Sequence, residues 1–271
     1  MPDFHEPLDE QALRARLRPQ FTQLDVVAST GSTNTDLVTA AAAGAPDYAV
    51  LIAEEQTAGL GRRSRSWSSP PGGLYLSVLL RPDGVPPDRL GTVTIVAGLA
   101  LLRTVRALGA DAALKWPNDL LAGPDRAKCA GILCESVSAA PPAVVVGIGV
   151  NTSPLAETTT GPGGLAATSL AECGIRTTRT ELAAQLLAAF AELAGSWRAA
   201  QGDLETAGLR AEFRDNCDTL GREVRVEGVN TRHRGRAVDI DPTGALILNT
   251  DDDQRMVVSA GDVVHLRAIM E

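Results

Sequence analysis

Only two lysines occur among the 25 basic residues of the chain, and both lie within one short segment. Lys115 opens the sequence Lys-Trp-Pro-Asn-Asp, which ends at Asp119, and Lys128 follows nine residues later. A lysine ammonium is a compact charge on a flexible stem, so it can act where the planar guanidinium of arginine does not fit. A turn at Pro117 would expose these charges to one cleft, although Pro-Asn-Asp alone also fits an ordinary turn. The segment predicts a charged site.

A second candidate site is the loop from Glu55 to Trp67, which sets two glycines beside Arg62, Arg63 and Arg65. Glycine lets backbone N–H groups approach an anion, and arginine can donate two hydrogen bonds to a phosphate. Trp67 could stack on a base or on a guanidinium. The loop therefore predicts a phosphate-containing ligand, and a solvated loop with incidental charge is the alternative. It is not a dinucleotide fingerprint, which needs a third glycine, and the chain has no Gly-Lys-Ser/Thr sequence of a P-loop.

A third segment combines small residues with one amide. Gly147 and Gly149 precede Asn151 at the end of an apolar run that reads as a strand. Glycines at a strand end allow backbone to close against a ligand, and they also suit simple packing. Both interpretations stay open at this point.

The composition limits the classes of function. The chain has 271 residues, 44% hydrophobic and 21% charged, which is typical of an ordinary globular protein. It carries 33 acidic against 25 basic residues, a formal charge of −8, so a general nucleic-acid binder is not expected. Its four cysteines have no Cys-x-x-Cys spacing, which favours reduced thiols over disulfides or a zinc site. We expect a cytoplasmic protein with no DNA partner.

No segment reads as a membrane span or a leader. The longest apolar stretch, Val93 to Leu102, is short compared with the roughly 20 apolar residues that a bilayer requires. The first ten residues are acidic and contain no apolar signal core. We therefore expect no membrane partner.

The elements that must position these candidate sites follow from periodicity and capping. Helical patterns are predicted at residues 9–17, 35–43, 88–108 and 180–200. Strands are predicted at residues 23–28, 48–53, 74–80, 113–116, 128–135 and 143–150. After residue 221 the pattern changes to short alternating strands, at 223–229, 234–241, 245–248, 256–259 and 263–266, with a turn at 241–244. The pattern is typical of an α+β domain followed by a small β-barrel.

Together these segments resemble the biotin protein ligases, which activate biotin with ATP and attach it to a lysine of a biotin carrier domain. The matching motifs occur in the family's order, at residues 31–34, 56–67, 115–119, 128–135 and 147–151. The resemblance implies an α+β fold with a mixed sheet backed by helices, related to class II aminoacyl-tRNA synthetases. It also implies a catalytic domain at 1–219, an SH3-like β-barrel at 220–271, and the short form of the family without an N-terminal DNA-binding domain.

The family's site residues carry over onto matching positions of this sequence. The resemblance implies that Lys128, Arg62 and Asp119 are catalytic. It implies that biotin is bound by Ser32, Thr33, Asn34, Gln56, Gly59, Leu60, Gly61, Arg62, Lys128 and Gly131. It implies that ATP or the adenylate is bound by Arg62, Arg65, Trp67, Lys115, Asn118 and Asn151. No fixed metal site is implied in the protein.

The resemblance also implies a two-step reaction. Biotin and ATP with Mg²⁺ would give biotinyl-5′-AMP, and the biotinyl group would then pass to a lysine of a biotin carboxyl carrier domain. Lys128 would stabilise the charge that develops at the carboxylate and the α-phosphate. Asp119 would orient the incoming amine or accept its proton.

Two positions depart from the family pattern, and one of them, Ser64, replaces the family's usual glycine in the loop. Leu60 stands where the family loop Gly-Arg-Gly-Arg has its first arginine, so weaker retention of the adenylate is expected. Two alternatives to a biotin ligase stay open. The related lipoate and octanoate ligases or transferases share the fold and would use a different acid, and a non-catalytic binder of biotinyl-adenylate would show no turnover.

Overall fold

A seven-stranded mixed sheet forms the centre of the first domain. The computed structural model describes residues 4–137, 142–155, 160, 165–227, 232–252, 254–259 and 261–265. The strands are β1 (Leu24–Val27), β2 (Val50–Ala53), β3 (Leu74–Leu80), β4 (Ala112–Lys115), β5 (Asp119–Ala122), β6 (Ala127–Val137) and β7 (Ala143–Val150). Their order across the sheet is β1-β2-β3-β7-β6-β5-β4. Only the pair β1–β2 is parallel among these strands, so the sheet is mixed as predicted.

Five α-helices are described, and the side-chain cap of α2 bears on the site. They are α1 (Glu10–Leu17), α2 (Thr33–Ala42), α3 (Val93–Ala107), α4 (Arg179–Ala199) and α5 (Leu209–Asp215). Ser32 is the N-cap of α2, and Thr178 is the N-cap of α4. A hydroxyl at this position accepts from a backbone N–H that the helix leaves unpaired. The sequence predicted α2 to begin at Thr35, but it begins two residues earlier, which puts Thr33 and Asn34 in its first turn.

The two faces of the sheet are covered by different helices. Side chains of β3 alternate between the faces, so Leu76 and Val78 point in opposite senses to Ser77 and Leu79. The first pair lies in the large core with α3 and α4. Leu79 lies in a smaller core with α2. Ser77 therefore faces the helix that carries Thr33 and Asn34.

One helical stretch is long and apolar enough to cross a membrane by composition. It runs over residues 87–107, and its first six residues form a 3₁₀ turn before α3. However, 72% of the most apolar window is buried within the protein. Helices that are apolar all round are common in protein cores, so this segment is the core helix of the first domain.

The second sheet has five antiparallel strands. They are β8 (Glu223–Glu227), β9 (Arg232–Ile240), β10 (Leu246–Thr250), β11 (Arg255–Val258) and β12 (Asp262–His265), in the order β11-β10-β9-β8-β12. Asp241 closes the predicted turn, because its carboxylate accepts from the N–H groups of Thr243 and Ala245 at 2.8 and 2.9 Å. The predicted boundary after residue 219 lies between α5 and β8. The indole of Trp116 donates to the carbonyl of Gly244 at 2.9 Å, which joins the two domains.

The structure confirms the predicted helices and the predicted strands within a few residues of their ends. Two elements were missed, β5 and α5. Asp119 was predicted to end a turn, but it begins β5, whose four residues are too few to show an alternating pattern. Residues 228, 229 and 266, at the ends of two predicted strands, lie outside the described residues.

A buried ion pair joins the N-terminal segment and α4 to the residues that follow β2 and precede β3. The side chain of Arg179 is 2% exposed and pairs with Glu54. It also donates to the carbonyls of Gly73 at 3.3 Å and Glu6 at 2.7 Å. Without the guanidinium, a partly buried carboxylate would lose its opposite charge, and two carbonyls would lose a hydrogen-bond donor.

We expect Arg179→Leu to lower the free energy of unfolding by about 3 kcal/mol, because it leaves the Glu54 charge uncompensated. Arg16→Leu is the matched control, since Arg16 pairs with Glu181 at the surface, where both side chains are more than a third exposed. That loss should stay below about 1 kcal/mol. Urea unfolding of both variants measures the difference, and equal losses would contradict the structural role given to Arg179.

Candidate functional site

A buried polar network occupies the face of the sheet covered by α2. The backbone N–H of Thr33 donates to Gln56 Oε1 at 2.9 Å, and Thr33 Oγ1 lies 3.1 Å from the same oxygen. Gln56 Nε2 donates to Ser69 Oγ at 2.9 Å. Thr33 Oγ1 also lies 2.8 Å from Ser77 Oγ. Thr33, Ser69 and Ser77 are all buried, so their polar atoms depend on these contacts.

Asn34 continues the network toward β6. Ser77 Oγ donates to Asn34 Oδ1 at 2.6 Å. Asn34 Nδ2 donates to Glu135 Oε2 at 2.8 Å and to the carbonyl of Leu133 at 3.2 Å. A Cβ at Gly147 would lie 2.1 Å from Asn34 Oδ1, so glycine is required at this point of β7. The network offers N–H donors and oxygen acceptors to a small polar ligand.

A cluster of charges lies where β4, β5 and β6 meet. Lys128 Nζ is 2.6 Å from Asp119 Oδ1, and Lys115 Nζ is 3.6 Å from Asp119 Oδ2. The side chains of Lys115 and Asp119 are 8% and 11% exposed, whereas that of Lys128 is 24% exposed. Burial lowers the pKa of Lys115, and the Asp119 carboxylate opposes that change. The more accessible cation, Lys128, is available to an anionic ligand.

Arg62 brings a third cation to this cluster. Its guanidinium donates to the carbonyl of Gly261 at 3.1 Å and approaches Asn118 Oδ1 at 3.5 Å. Burial lowers the pKa of Arg62, although an arginine keeps its charge near neutral pH. Asn118 is itself fixed, because its amide donates to the carbonyl of Ile132 at 2.6 Å. The Lys-Trp-Pro-Asn-Asp turn and the arginine loop therefore meet, a contact that the charge pattern alone did not predict.

Trp67 lies between the charged cluster and the two glycine positions of the sheet. Lys128 Nζ is 5.2 Å from the centroid of the indole, a cation–π distance. A Cβ at Gly131 would lie 3.3 Å from the ring, and one at Gly149 only 2.6 Å from it. The indole N–H is buried and has no hydrogen-bond partner among the described residues. Because neither glycine has a Cβ, the aromatic ring can lie against the sheet at both positions.

The arginine loop is bound by the second sheet. The loop folds back as a hairpin, since Trp67 N donates to the carbonyl of Gly59 at 2.8 Å. Arg63 donates to Asp262 at 3.0 Å, and Arg65 pairs with the same carboxylate. Burial raises the pKa of Asp262, but these guanidinium groups outweigh it and hold the pKa below its usual range. Asp262 thus fixes two of the three loop arginines.

Most of the predicted site residues come together, and a few do not. Those in the polar network or the charged cluster are Thr33, Asn34, Gln56, Arg62, Trp67, Lys115, Asn118, Asp119, Lys128 and Gly131. A Cβ built at Gly59 would lie 3.1 Å from Gln56 Nε2, and Gly61 lies in the hairpin of the arginine loop. Ser32 Oγ accepts from Thr35 N at 3.5 Å as a helix cap.

Three predicted residues lie apart from these contacts. Leu60 is 41% exposed, Arg65 is engaged with Asp262, and the Asn151 amide donates to the carbonyl of Thr168 at 3.0 Å. Their roles stay predictions.

Four residues of the site were not assigned from the sequence, namely Ser69, Ser77, Glu135 and Asp262. Ser77 carried a usable signal, because it is the one polar residue of a seven-residue strand that is otherwise apolar or aromatic. Asp262 carried none, since its contacts join parts of the chain nearly 200 residues apart.

Comparisons with known proteins show the family of the chain. Residues 26–151 match the biotin/lipoate A/B protein ligase family, and residues 219–266 match the biotin protein ligase C-terminal domain. The chain is 42% identical to the biotin–[acetyl-CoA-carboxylase] ligase of Mycobacterium tuberculosis, over 96% of this chain and 97% of that protein. It is 37% identical to the bifunctional ligase/repressor BirA of Escherichia coli, over 74% of this chain and 61% of that protein.

Solved structures give the same result for the fold. The biotin protein ligase from Aquifex aeolicus in complex with biotin and ATP matches with a TM-score of 0.76 at 25% identity. The match covers 92% of this chain and 100% of that chain, so it includes both sheets.

We expect Gly147→Ala to lower the free energy of unfolding by about 1–3 kcal/mol, because the new methyl group overlaps the buried amide of Asn34. Gly195→Ala is the matched control, since nothing lies within 4 Å of a Cβ built there on α4. In a helix interior that change should stabilise the protein by about 0.5–1 kcal/mol. Urea unfolding measures the change in the free energy of unfolding for both variants. An unchanged free energy in Gly147→Ala would contradict the close approach of the Asn34 amide to β7.

His265 supports the turn that carries Lys115. Its Nε2 lies 3.1 Å from Thr219 Oγ1, which accepts from the backbone N–H of Trp116 at 3.1 Å. Burial and the nearby positive charge of Lys115 lower the pKa of His265 to about 4. The folded protein therefore keeps this imidazole neutral at a pH where the unfolded chain already binds a proton.

Because the folded-state pKa is the lower one, stability should decrease as the pH falls from about 6.5 to about 4. The contribution of His265 to this loss is about 3 kcal/mol at most. In His265→Gln, the free energy of unfolding should change less between pH 7 and pH 4.5 than in the unaltered protein. Parallel pH curves for the two proteins would show that His265 does not titrate in this way.

Proposed function

The chain belongs to the biotin protein ligase family, and we propose that it joins biotin to a lysine of a biotin carboxyl carrier domain at the expense of ATP. One observation carries this proposal. A buried network of hydroxyl and amide groups lies at Gly147 of β7, and the indole of Trp67, 5.2 Å from the Nζ of Lys128, lies two residues along the same strand at Gly149. Biotin has matching chemistry, because its cyclic urea offers N–H donors and a carbonyl while its other end is a carboxylate.

The polar network suits the urea end of biotin. Thr33 and Gln56 present oxygen atoms, and Gln56 has a second amide hydrogen beyond the one given to Ser69. Buried polar groups discriminate strongly against a ligand that leaves them unpaired. This end of the site therefore selects the acid.

The cations suit the carboxylate end and the nucleotide. In the first step a carboxylate oxygen attacks the α-phosphate of ATP, an acyl–phosphate bond forms, and pyrophosphate leaves. Lys128 stabilises the charge on the carboxylate and phosphate oxygens, and Arg62 stabilises the phosphates. Asp119 holds Lys128 in position through the 2.6 Å contact, so little reorganisation is needed during the reaction.

In the second step the amine of the carrier lysine attacks the acyl carbon of biotinyl-5′-AMP. An amide bond forms, the bond to AMP breaks, and the nitrogen loses a proton. Asp119 is the carboxylate of the charged cluster, and we propose that it orients this amine or accepts its proton. A free carboxylate acylates amines too slowly, so the activation step is essential.

The remaining assignments are also part of the proposal. Lys115, Asn118, Arg65 and Asn151 would contact the nucleotide, with Trp67 against the adenine. Mg²⁺ would arrive with the triphosphate, because the charged cluster is mainly cationic and its carboxylate is already paired. Reduced cysteines support a cytoplasmic location.

We expect intact mass spectrometry to show a single biotinyl addition to a carrier domain, dependent on biotin and Mg-ATP. Lys128→Ala should slow the reaction by about 100- to 1,000-fold, because the charge on the acyl phosphate loses its nearest cation. Arg255→Ala is the control, because it also removes one positive charge. Arg255 lies on β11, at the opposite edge of the second sheet from β12, whose Asp262 binds the arginine loop. This substitution should leave the rate unchanged.

The same assay separates the alternatives. A mass shift with octanoate or lipoate on its own carrier, but none with biotin, would assign the chain to the sister enzymes. Binding of biotin without any transfer would indicate a binder. An unchanged rate in Lys128→Ala would contradict the role given to the charged cluster.

A further inference from the structure

The hydroxyl groups around Ser77 do not have enough protons for all their contacts. Three oxygen–oxygen contacts run in series, from Gln56 Oε1 to Thr33 Oγ1 at 3.1 Å, on to Ser77 Oγ at 2.8 Å, and on to Asn34 Oδ1 at 2.6 Å. The two end atoms are amide oxygens, which only accept. Thr33 and Ser77 supply one hydroxyl proton each. One of the three contacts therefore contains no proton.

The orientation of Asn34 decides which contact lacks the proton. Its amide faces Glu135 at 2.8 Å and the carbonyl of Leu133 at 3.2 Å. A carbonyl oxygen accepts hydrogen bonds and never donates, and the same is true of an ionised carboxylate. The NH₂ group must therefore point toward them, which turns Asn34 Oδ1 toward Ser77. Ser77 then has to donate to Asn34, and Thr33 has to donate to Ser77.

The contact without a proton is thus the one between Thr33 Oγ1 and Gln56 Oε1, which is also the longest of the three. Gln56 Oε1 keeps its orientation because it accepts from the backbone N–H of Thr33 at 2.9 Å. Two acceptor oxygens are left side by side with lone pairs free. An N–H group from a ligand can donate to both.

We propose that Glu135 and Ser77 are positioning residues that fix the direction of these hydrogen bonds, so that Thr33 and Gln56 present a paired acceptor to one urea N–H of biotin. The proposal rests on the biotin ligase function above and deepens it. Octanoate and lipoate have no N–H group at the far end of the molecule. They would leave the two oxygens unpaired in a buried site, and this penalty would favour biotin.

Two substitutions should abolish the paired acceptor. In Ser77→Ala, Thr33 has no other acceptor in the series and donates to Gln56 Oε1. In Glu135→Gln, the new amide can donate to Asn34 Oδ1, so only the longer contact with the Leu133 carbonyl, at 3.2 Å, still opposes a turn of the Asn34 amide. We expect the amide to turn in this variant. Asn34 then donates to Ser77, Ser77 donates to Thr33, and Thr33 donates to Gln56. In both variants the proton of Thr33 occupies the place of the urea N–H.

The test compares biotin with its two lactam analogues, in each of which CH₂ replaces one urea N–H without enlarging the ring. Calorimetric titration of the full-length protein gives the dissociation constants. We expect one of the two analogues to bind the unaltered protein about tenfold more weakly than biotin, because it leaves the acceptor pair unsatisfied. That ratio should fall toward one in Ser77→Ala and in Glu135→Gln, since biotin itself binds these variants more weakly.

A purely structural role of either residue would weaken biotin and analogue alike and leave the ratio unchanged. Glu192→Gln is the matched control for Glu135→Gln, because Glu192 is an exposed side chain on α4, and its ratio should equal that of the unaltered protein. Thermal unfolding checks each variant, and Glu135→Gln serves alone if Ser77→Ala does not fold.

The proposal is overturned if neither analogue binds the unaltered protein more weakly than biotin, or if the tenfold ratio persists in both variants. Failure of the unaltered protein to bind biotin at all would instead overturn the ligase function on which the proposal rests.

Discussion

The site depends on one carboxylate that compensates two lysines where β4, β5 and β6 meet. Removing an ammonium group from water is unfavourable unless an opposite charge lies close to it. Asp119 supplies that charge to Lys115 and Lys128 together. Because Asp119 begins β5 and Lys128 lies in β6, the pairing of these strands fixes the cations. Trp67 and Arg62 then lie beside lysines whose charges Asp119 already compensates.

Small residues of the sheet give the other half of the site its shape. Gly147 admits the amide of Asn34, and Gly149 admits the indole of Trp67, each at distances that no side chain would allow. The alternation of β7 places both glycines on the face that α2 covers. The polar network and the aromatic ring therefore lie side by side against one strand.

Much of this arrangement could be predicted from the sequence, for reasons that are local. The caps, glycines and apolar periods that define α2, β3 and β7 lie within short windows, and so do the motifs that carry Lys115 and Lys128. The contacts of Ser77 and Glu135 with Asn34 could not be predicted, since they join residues 43 and 101 positions apart. The same holds for Asp262, which reaches the arginine loop from the second sheet. Strand pairing and domain packing create these contacts, and no local pattern encodes them.

We propose that the charged cluster activates the carboxylate of biotin. The most direct test is exchange of labelled pyrophosphate into ATP, because this exchange reports the first step without any carrier domain. We predict exchange that requires biotin and that falls about 100-fold in Asp119→Asn, since Lys128 loses the group that holds it. Exchange that proceeds without biotin, or at an unchanged rate in Asp119→Asn, would contradict the account.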